Sequence, residues 1–246
     1  MKILRIPTCF LLFFALTFCV SMEAQQAPAQ QAPERVIINF LPYIDSNSVN
    51  MLLSVVNAQV RNGTKKITIV ISSVGGDPAS AFAAYNILRN VPAEITTFNV
   101  GNVDSAAMLI YCAGKYRYSL PNPARFLIHG TSLGPMTTSV PVESRWLESQ
   151  LQQLKSLDQL IVQVIAANSN KKLSEIQAAI SGQTILSAEE AKQWGIVQEI
   201  KNTFMEPGAA FVSVNAPSTQ DQKERPIPYT TTQPTISSGD TKKQAP

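Results

Sequence analysis

Residues 65–76 read KKITIVISSVGG, and this stretch decides the fold class. Ile67, Ile69, Val70 and Ile71 form a near-continuous apolar run, closed by two serines and a Gly-Gly turn. That is the pattern of a strand buried on both faces. Upstream, RVIINFL (35–41) reads as another strand, and SVNMLLSVVNAQVRNG (48–63) reads as the helix between them, ended by Gly63. Downstream come a helix through AFAAYNILRN (81–90), a strand EITTFNV (94–100), a helix AAMLIYCAG (106–114) and a strand ARFLIHG (124–130). Such alternation predicts an α/β unit with a mostly parallel sheet covered on both faces, and ligands are expected at the carboxyl ends of its strands.

A long helix is predicted over 143–170, with Trp146, Leu147, Leu151, Leu154, Leu157, Leu160, Ile161 and Val164 at three- and four-residue steps. Its apolar stripe needs a partner surface, either the helix's own sheet or another subunit. The last compact piece, through LSAEEAKQWGIVQEI (186–200), reads as two short helices and a closing strand, with Ser187 and Glu190 as a capping box.

The ends have a different character. Lys2 and Arg5 precede an apolar stretch from Cys9 to Val20 and then small and polar residues, which is the architecture of a signal peptide over 1–24, cleaved after Ala24. A membrane anchor formed by residues 9–20 is the lesser reading, because the stretch is short for a span. Residues 25–34 are Gln, Ala and Pro until the final Glu, a flexible leader, and 205–246 form a Pro/Thr/Ser/Gln-rich tail read as disordered. The folded unit is placed at 35–204, and the exported product is expected to be periplasmic or secreted. Once the leader is removed Cys112 is the single cysteine left, so no internal disulfide forms, and its apolar helical context assigns it to packing.

The net charge of +3 comes from scattered lysines and arginines without a basic run, so a nucleic-acid partner is not expected. One histidine and one mature cysteine leave no ligand-spaced cluster, so no metal is expected. His129 is the only histidine, so a neutral-pH imidazole base has to be this residue, at the carboxyl end of its strand. Ser105 lies at the start of a helix, where backbone N–H groups favour a developing negative charge, although a serine there also serves as a plain cap. The surroundings of Ser105 are not Gly-x-Ser-x-Gly, which disfavours an α/β-hydrolase elbow. Gly75 and Gly76 let the backbone approach a ligand closely, or simply make a turn.

Taken in order, ISSVGG (71–76), GNVDSAAM (101–108), SLPNPARFLIHG (119–130) and ILSAEEAKQWGIV (185–197) resemble the proteolytic subunit of the Clp protease, over about Arg35 to Ile200. The resemblance implies a ClpP/crotonase-like α/β fold, with parallel sheets, covering helices and a protruding handle helix. It implies a serine endopeptidase acting on peptides or unfolded polypeptides, with Ser105 as nucleophile, His129 as general base and the N–H groups of Gly76 and Ala106 as oxyanion hole. No cofactor is implied. Gln183 stands where the family has its triad aspartate, Asp104 replaces a small residue beside the nucleophile, and Val74 replaces a proline. An Asp104 carboxylate near an oxyanion would oppose it unless it points to solvent. The family resemblance further implies homo-oligomeric stacked rings, with the helix at 143–167 making the ring-to-ring contact. In an exported chain no ATPase partner is expected. Two other readings stay open: a ring-forming pseudoenzyme or assembly module, and a crotonase-like acyl-CoA enzyme.

Overall fold

A computed structural model describes residues 33–134 and 142–214. The predicted signal peptide, most of the leader and most of the tail lie outside these residues. The order of elements is β1 (Arg35–Phe40), α1 (Ser46–Arg61), β2 (Lys66–Ser73), α2 (Pro78–Leu88), β3 (Glu94–Asp104), α3 (Ala107–Cys112), β4 (Tyr116–Ser119) and β5 (Arg125–Ile128). It continues with α4 (Ser144–Ala167), α5 (Leu173–Ser181), β6 (Thr184–Ser187), α6 (Ala188–Gln193), β7 (Glu199–Ile200) and β8 (Ala210–Ser213). The strands run β6-β5-β3-β2-β1-β8, with β4 alongside β3 and β7 alongside β4, and every pairing is parallel except β5 with β6.

Local chemistry starts the helices where they are needed. Asp45 caps α1, accepting the Ser48 N–H at 2.8 Å while the Ser48 hydroxyl accepts the Asp45 N–H at 3.0 Å. Asp77 caps α2 directly before Pro78, which lacks the N–H that the first turn cannot use. The Ser187–Glu190 capping box forms as read from the sequence. Buried residues from all six helices pack with β-strand residues into one cluster. Among the described residues the opposite face carries a smaller cluster, Ile37, Val70 and Phe98, flanked in the sheet by Val100 and Tyr118 and packed against Leu120, Phe204 and Ala209. The expectation of a sheet covered on both faces is therefore refined: helices lie over one core, and a short stretch of irregular chain closes the other. Strands apolar on both sides permit either cover.

Three features depart from the sequence reading. The strand expected at 94–100 runs on to Asp104, because β3 changes partner along its length. Thr96–Asn99 pair with β4, whereas Asn102–Asp104 pair with β5. Against β2 the register jumps from Ile71–Asn99 to Ser73–Val103, and this irregularity re-aims the end of the strand. Second, residues 184–187 are a strand antiparallel to β5. Third, the folded part continues past 204: β8 pairs with β1 through Val36–Ala210 to Asn39–Ser213, and Val214 is buried. Phe211 and Val212 favour a strand, but the segment is placed by the edge of β1, a contact across about 170 residues that local composition does not register. Among the described residues no helix is long and apolar enough to cross a membrane.

Cys112 is fully buried, and burial, opposed by Arg117 and Arg89, pushes its thiol up to about 12. A thiol so far from ionisation packs and does not act as a nucleophile.

Candidate active site

The irregular end of β3 delivers Ser105 into a turn with φ of +57°, a left-handed backbone that a non-glycine residue rarely adopts. The strain is held from both sides. The Ser105 N–H donates to the Leu127 carbonyl of β5 at 2.9 Å, and its own carbonyl accepts from Met108 N–H at 3.0 Å as α3 begins. Such a residue at a strand-to-helix junction presents its side chain outward from the sheet edge, and strain of this kind clusters at functional sites.

Opposite it, β2 ends in Gly75 (φ +91°) and Gly76 (φ +150°). A Cβ at Gly75 would sit 2.6 Å from the Asp104 carbonyl oxygen and 2.7 Å from the Ser105 Cβ, and one at Gly76 would overlap the Ile44 carbonyl. Gly75 is therefore required for the β2 turn to approach the end of β3, and Gly76 for it to approach Ile44 in the β1–α1 connection. The chain here is clamped by Ile44, whose N–H donates to Gly75 O and whose carbonyl accepts Asp77 N–H, each at 2.8 Å. The Gly75 N–H donates to the Ser73 hydroxyl at 3.2 Å. The N–H groups on either side of Gly76 are thus committed, whereas those of Gly76 and Ala106 are not engaged by any acceptor among the described residues.

Ser105, His129, Gly76 and Ala106 all line one cavity of about 290 Å³, whose wall includes Tyr43, Asp77, Thr131 and Ile161. The four residues expected to act together thus come together. Ser105 and His129 share the cavity without a direct hydrogen bond between them. At the rim, partial burial works against ionisation of Asp77, but hydrogen bonds from the Ser80 hydroxyl and the Ser80 and Ala79 N–H groups outweigh it and hold the carboxyl below its usual range.

Gln183 is not brought in. The β5–β6 register pairs Ile128 with Thr184, so one further step would set His129 opposite Gln183. Gln183 nevertheless has a φ of +51°, is exposed, does not line the cavity and makes no hydrogen bond to His129 among the described residues.

Asp104 resolves differently from the sequence expectation. Its side chain is only 4% exposed, so it does not point to solvent. It is not among the residues lining the cavity; its Oδ2 accepts from Arg125 at 2.8 Å and from Asn102 Nδ2 at 3.3 Å. The carboxylate next to the nucleophile is thus neutralised by the strand that carries His129. Oδ1 is buried with no partner among the described residues, so Asp104 depends heavily on that one guanidinium. Arg125→Ala is expected to cost about 2 kcal/mol, below the range for breaking a fully buried pair because Arg125 itself is half-exposed. Thermal unfolding measures it: a drop of about 5 °C is expected for a domain of this size, and an unchanged midpoint would show that Asp104 is satisfied without Arg125.

Sequence reasoning missed Tyr43, Asp77, Thr131 and Arg125 around the site. The Asp77-Pro78 pair is a readable helix-start signal. Arg125 and Thr131 carry no local signal, because their partners lie 21 and 27 residues away.

The sequence model of the Clp protease family matches residues 22–203. The ATP-dependent Clp protease proteolytic subunit 1 of Rhodococcus jostii is 30% identical over 169 residues, covering 68% of this chain and 74% of that protein. Subunit 2 of the same protease in Corynebacterium jeikeium is 29% identical, covering 68% and 78%. The solved structure of a ClpP1 point mutant from Listeria monocytogenes superposes with a TM-score of 0.59 at 24% identity, over 70% of this chain and 93% of that one, which bears on the fold. With the match spanning most of the folded residues and the fold agreeing with it, the chain belongs to the Clp protease family.

Proposed function

We propose that this chain is an exported serine endopeptidase that cleaves peptides or unfolded polypeptides through Ser105 and His129. The observation that carries the reading is that the strained Ser105, the only histidine and two uncommitted backbone N–H groups line one cavity. The Ser105 hydroxyl attacks the substrate carbonyl while His129 takes its proton. The N–H groups of Gly76 and Ala106 receive the oxyanion, and His129 returns the proton to the leaving amine. Water then attacks the acyl-enzyme, giving its proton to His129 and releasing the acid with Ser105 restored. Because Ser105 and His129 are not hydrogen-bonded in the resting geometry, substrate or assembly draws them together.

The exposed position of Gln183 favours a second reading, a ring-forming pseudoenzyme. A fluorophosphonate probe with wild type and Ser105→Ala separates the two: Ser105-dependent labelling supports the peptidase, and its absence supports the pseudoenzyme. Export rests on the charged, apolar and small-residue order of 1–24, and outside the cytoplasm an ATP-driven unfoldase is not expected.

Assembly into homo-oligomeric rings is supported by α4. Trp146, Leu147, Leu151 and Leu160 are 41–52% exposed, whereas its buried residues Ile161, Val162 and Ile165 lie near the C-terminal end. An amphipathic helix with so much apolar surface uncovered calls for a second copy of the chain. Leu151→Glu is expected to shift the sedimenting species to smaller oligomers, and a wild-type profile would remove α4 from the contact.

A further inference from the structure

The cavity places a histidine without the carboxylate that would ordinarily orient it, yet one carboxylate does hold the chain beside it. Asp158, half-buried in the middle of α4, accepts the Thr131 N–H at 2.7 Å and the Thr131 hydroxyl at 2.9 Å, both on Oδ1. The Thr131 hydroxyl also lies 3.2 Å from the Leu154 carbonyl one turn earlier. The position a Cβ would take at Gly130 is 3.2 Å from Asp158 Oδ2. Leu154, Asp158 and Ile161 stand at i, i+4 and i+7, one face of α4, and Ile161 and Thr131 are both walls of the cavity. Residues 130 and 131 directly follow His129, so the place of the imidazole depends on where this carboxylate anchors them.

We propose that Asp158 is the positioning residue for His129, taking through the backbone of residues 130–131 the orienting duty that exposed Gln183 does not perform. Hydrogen bonds to an ionised carboxylate are short and strong, and two on a single oxygen fix both the backbone and the side chain of Thr131. The carboxylate acts through Thr131, not on the ring.

The proposal rests on the peptidase reading for its kinetic arm and stands apart from it for its chemical arm. In the full chain, Asp158→Ala is expected to lower kcat about 30-fold with KM within about twofold, since a loosened base slows the chemistry but leaves the substrate contacts. Asp158→Asn, which keeps an acceptor and the side-chain volume, is expected to lose less, and Asp158→Glu to recover part of the rate. Gln159→Ala, the exposed neighbour on α4, should behave as wild type. Because His129 is the only imidazole in the chain, its carbethoxylation by diethyl pyrocarbonate can be followed by mass spectrometry whether or not the protein hydrolyses anything. That rate is expected to rise about threefold in Asp158→Ala and to stay near wild type in Asp158→Asn, as a loosened segment exposes its ring more often. Wild-type kcat and carbethoxylation in Asp158→Ala would overturn the proposal, as would a loss in all three variants that merely tracks a fall in melting temperature. Absence of Ser105-dependent turnover in wild type would remove the peptidase reading alone, with the carbethoxylation rates still deciding the role of Asp158.

Discussion

Ser105→Ala should remove fluorophosphonate labelling and lower peptide hydrolysis by about a thousandfold or more, with the melting temperature unchanged. The activity loss follows from chemistry: without the hydroxyl there is no acyl-enzyme, and a water molecule attacking in its place has only the oxyanion donors and binding to help it. A thousandfold corresponds to about 4 kcal/mol of transition-state stabilisation. The unchanged stability follows from the backbone. Serine already bears the left-handed φ of +57°, and alanine bears the same Cβ against the preceding turn, so the strain of about 1 kcal/mol is present in both proteins. A hydrolase still active at wild-type rate in Ser105→Ala would place the nucleophile elsewhere. A variant that loses activity together with stability would make the serine structural.

Gly76→Ala should do the opposite, damaging fold and activity together. The φ of +150° is open to glycine and strained for any other residue, and the added methyl would meet the Ile44 carbonyl, which belongs to a backbone held by two 2.8 Å hydrogen bonds and cannot swing aside. Relief requires the Ile44–Gly76 bridge to open, so a cost of about 3–5 kcal/mol is expected, a large share of the stability of an ordinary domain. Thermal unfolding should show a midpoint lower by about 10 °C. Any molecules that remain folded should label slowly at Ser105, because moving residue 76 moves one of the two uncommitted N–H groups. A variant with the wild-type midpoint would show that the turn can relax cheaply. One with normal stability and normal labelling would remove Gly76 from the oxyanion site.

The strands β1, β2 and β5, the helices α1, α2 and α4 and the Ser187–Glu190 cap were legible in the sequence because each depends on residues within a few positions of one another. Apolar spacing of two or of three and four, a helix-ending glycine and a cap three residues from its partner all act at short range. The lone histidine and the Gly-Gly pair were legible for a simpler reason: a residue that occurs once, or a backbone that tolerates positive φ, limits the choices before any folding. Resemblance in the order of four short segments singled out Ser105 among the serines, and the family model supports the resemblance itself.

What tertiary structure alone decided is every feature made by partners far apart in the chain. Asp104 reads as a threat to an oxyanion until β5 brings Arg125 beside it. Gln183, placed by resemblance at the family's triad-aspartate position, is exposed with a left-handed backbone and makes no hydrogen bond to His129 among the described residues. Residues 210–213 read as tail until the edge of β1 takes them as a strand, and Asp158 reads as one more polar position on a long helix until Thr131 meets it across 27 residues. The free energy that places these groups comes from burying the helices on the sheet and from satisfying hydrogen bonds inside that packing, and neither leaves a periodic or local mark in the sequence.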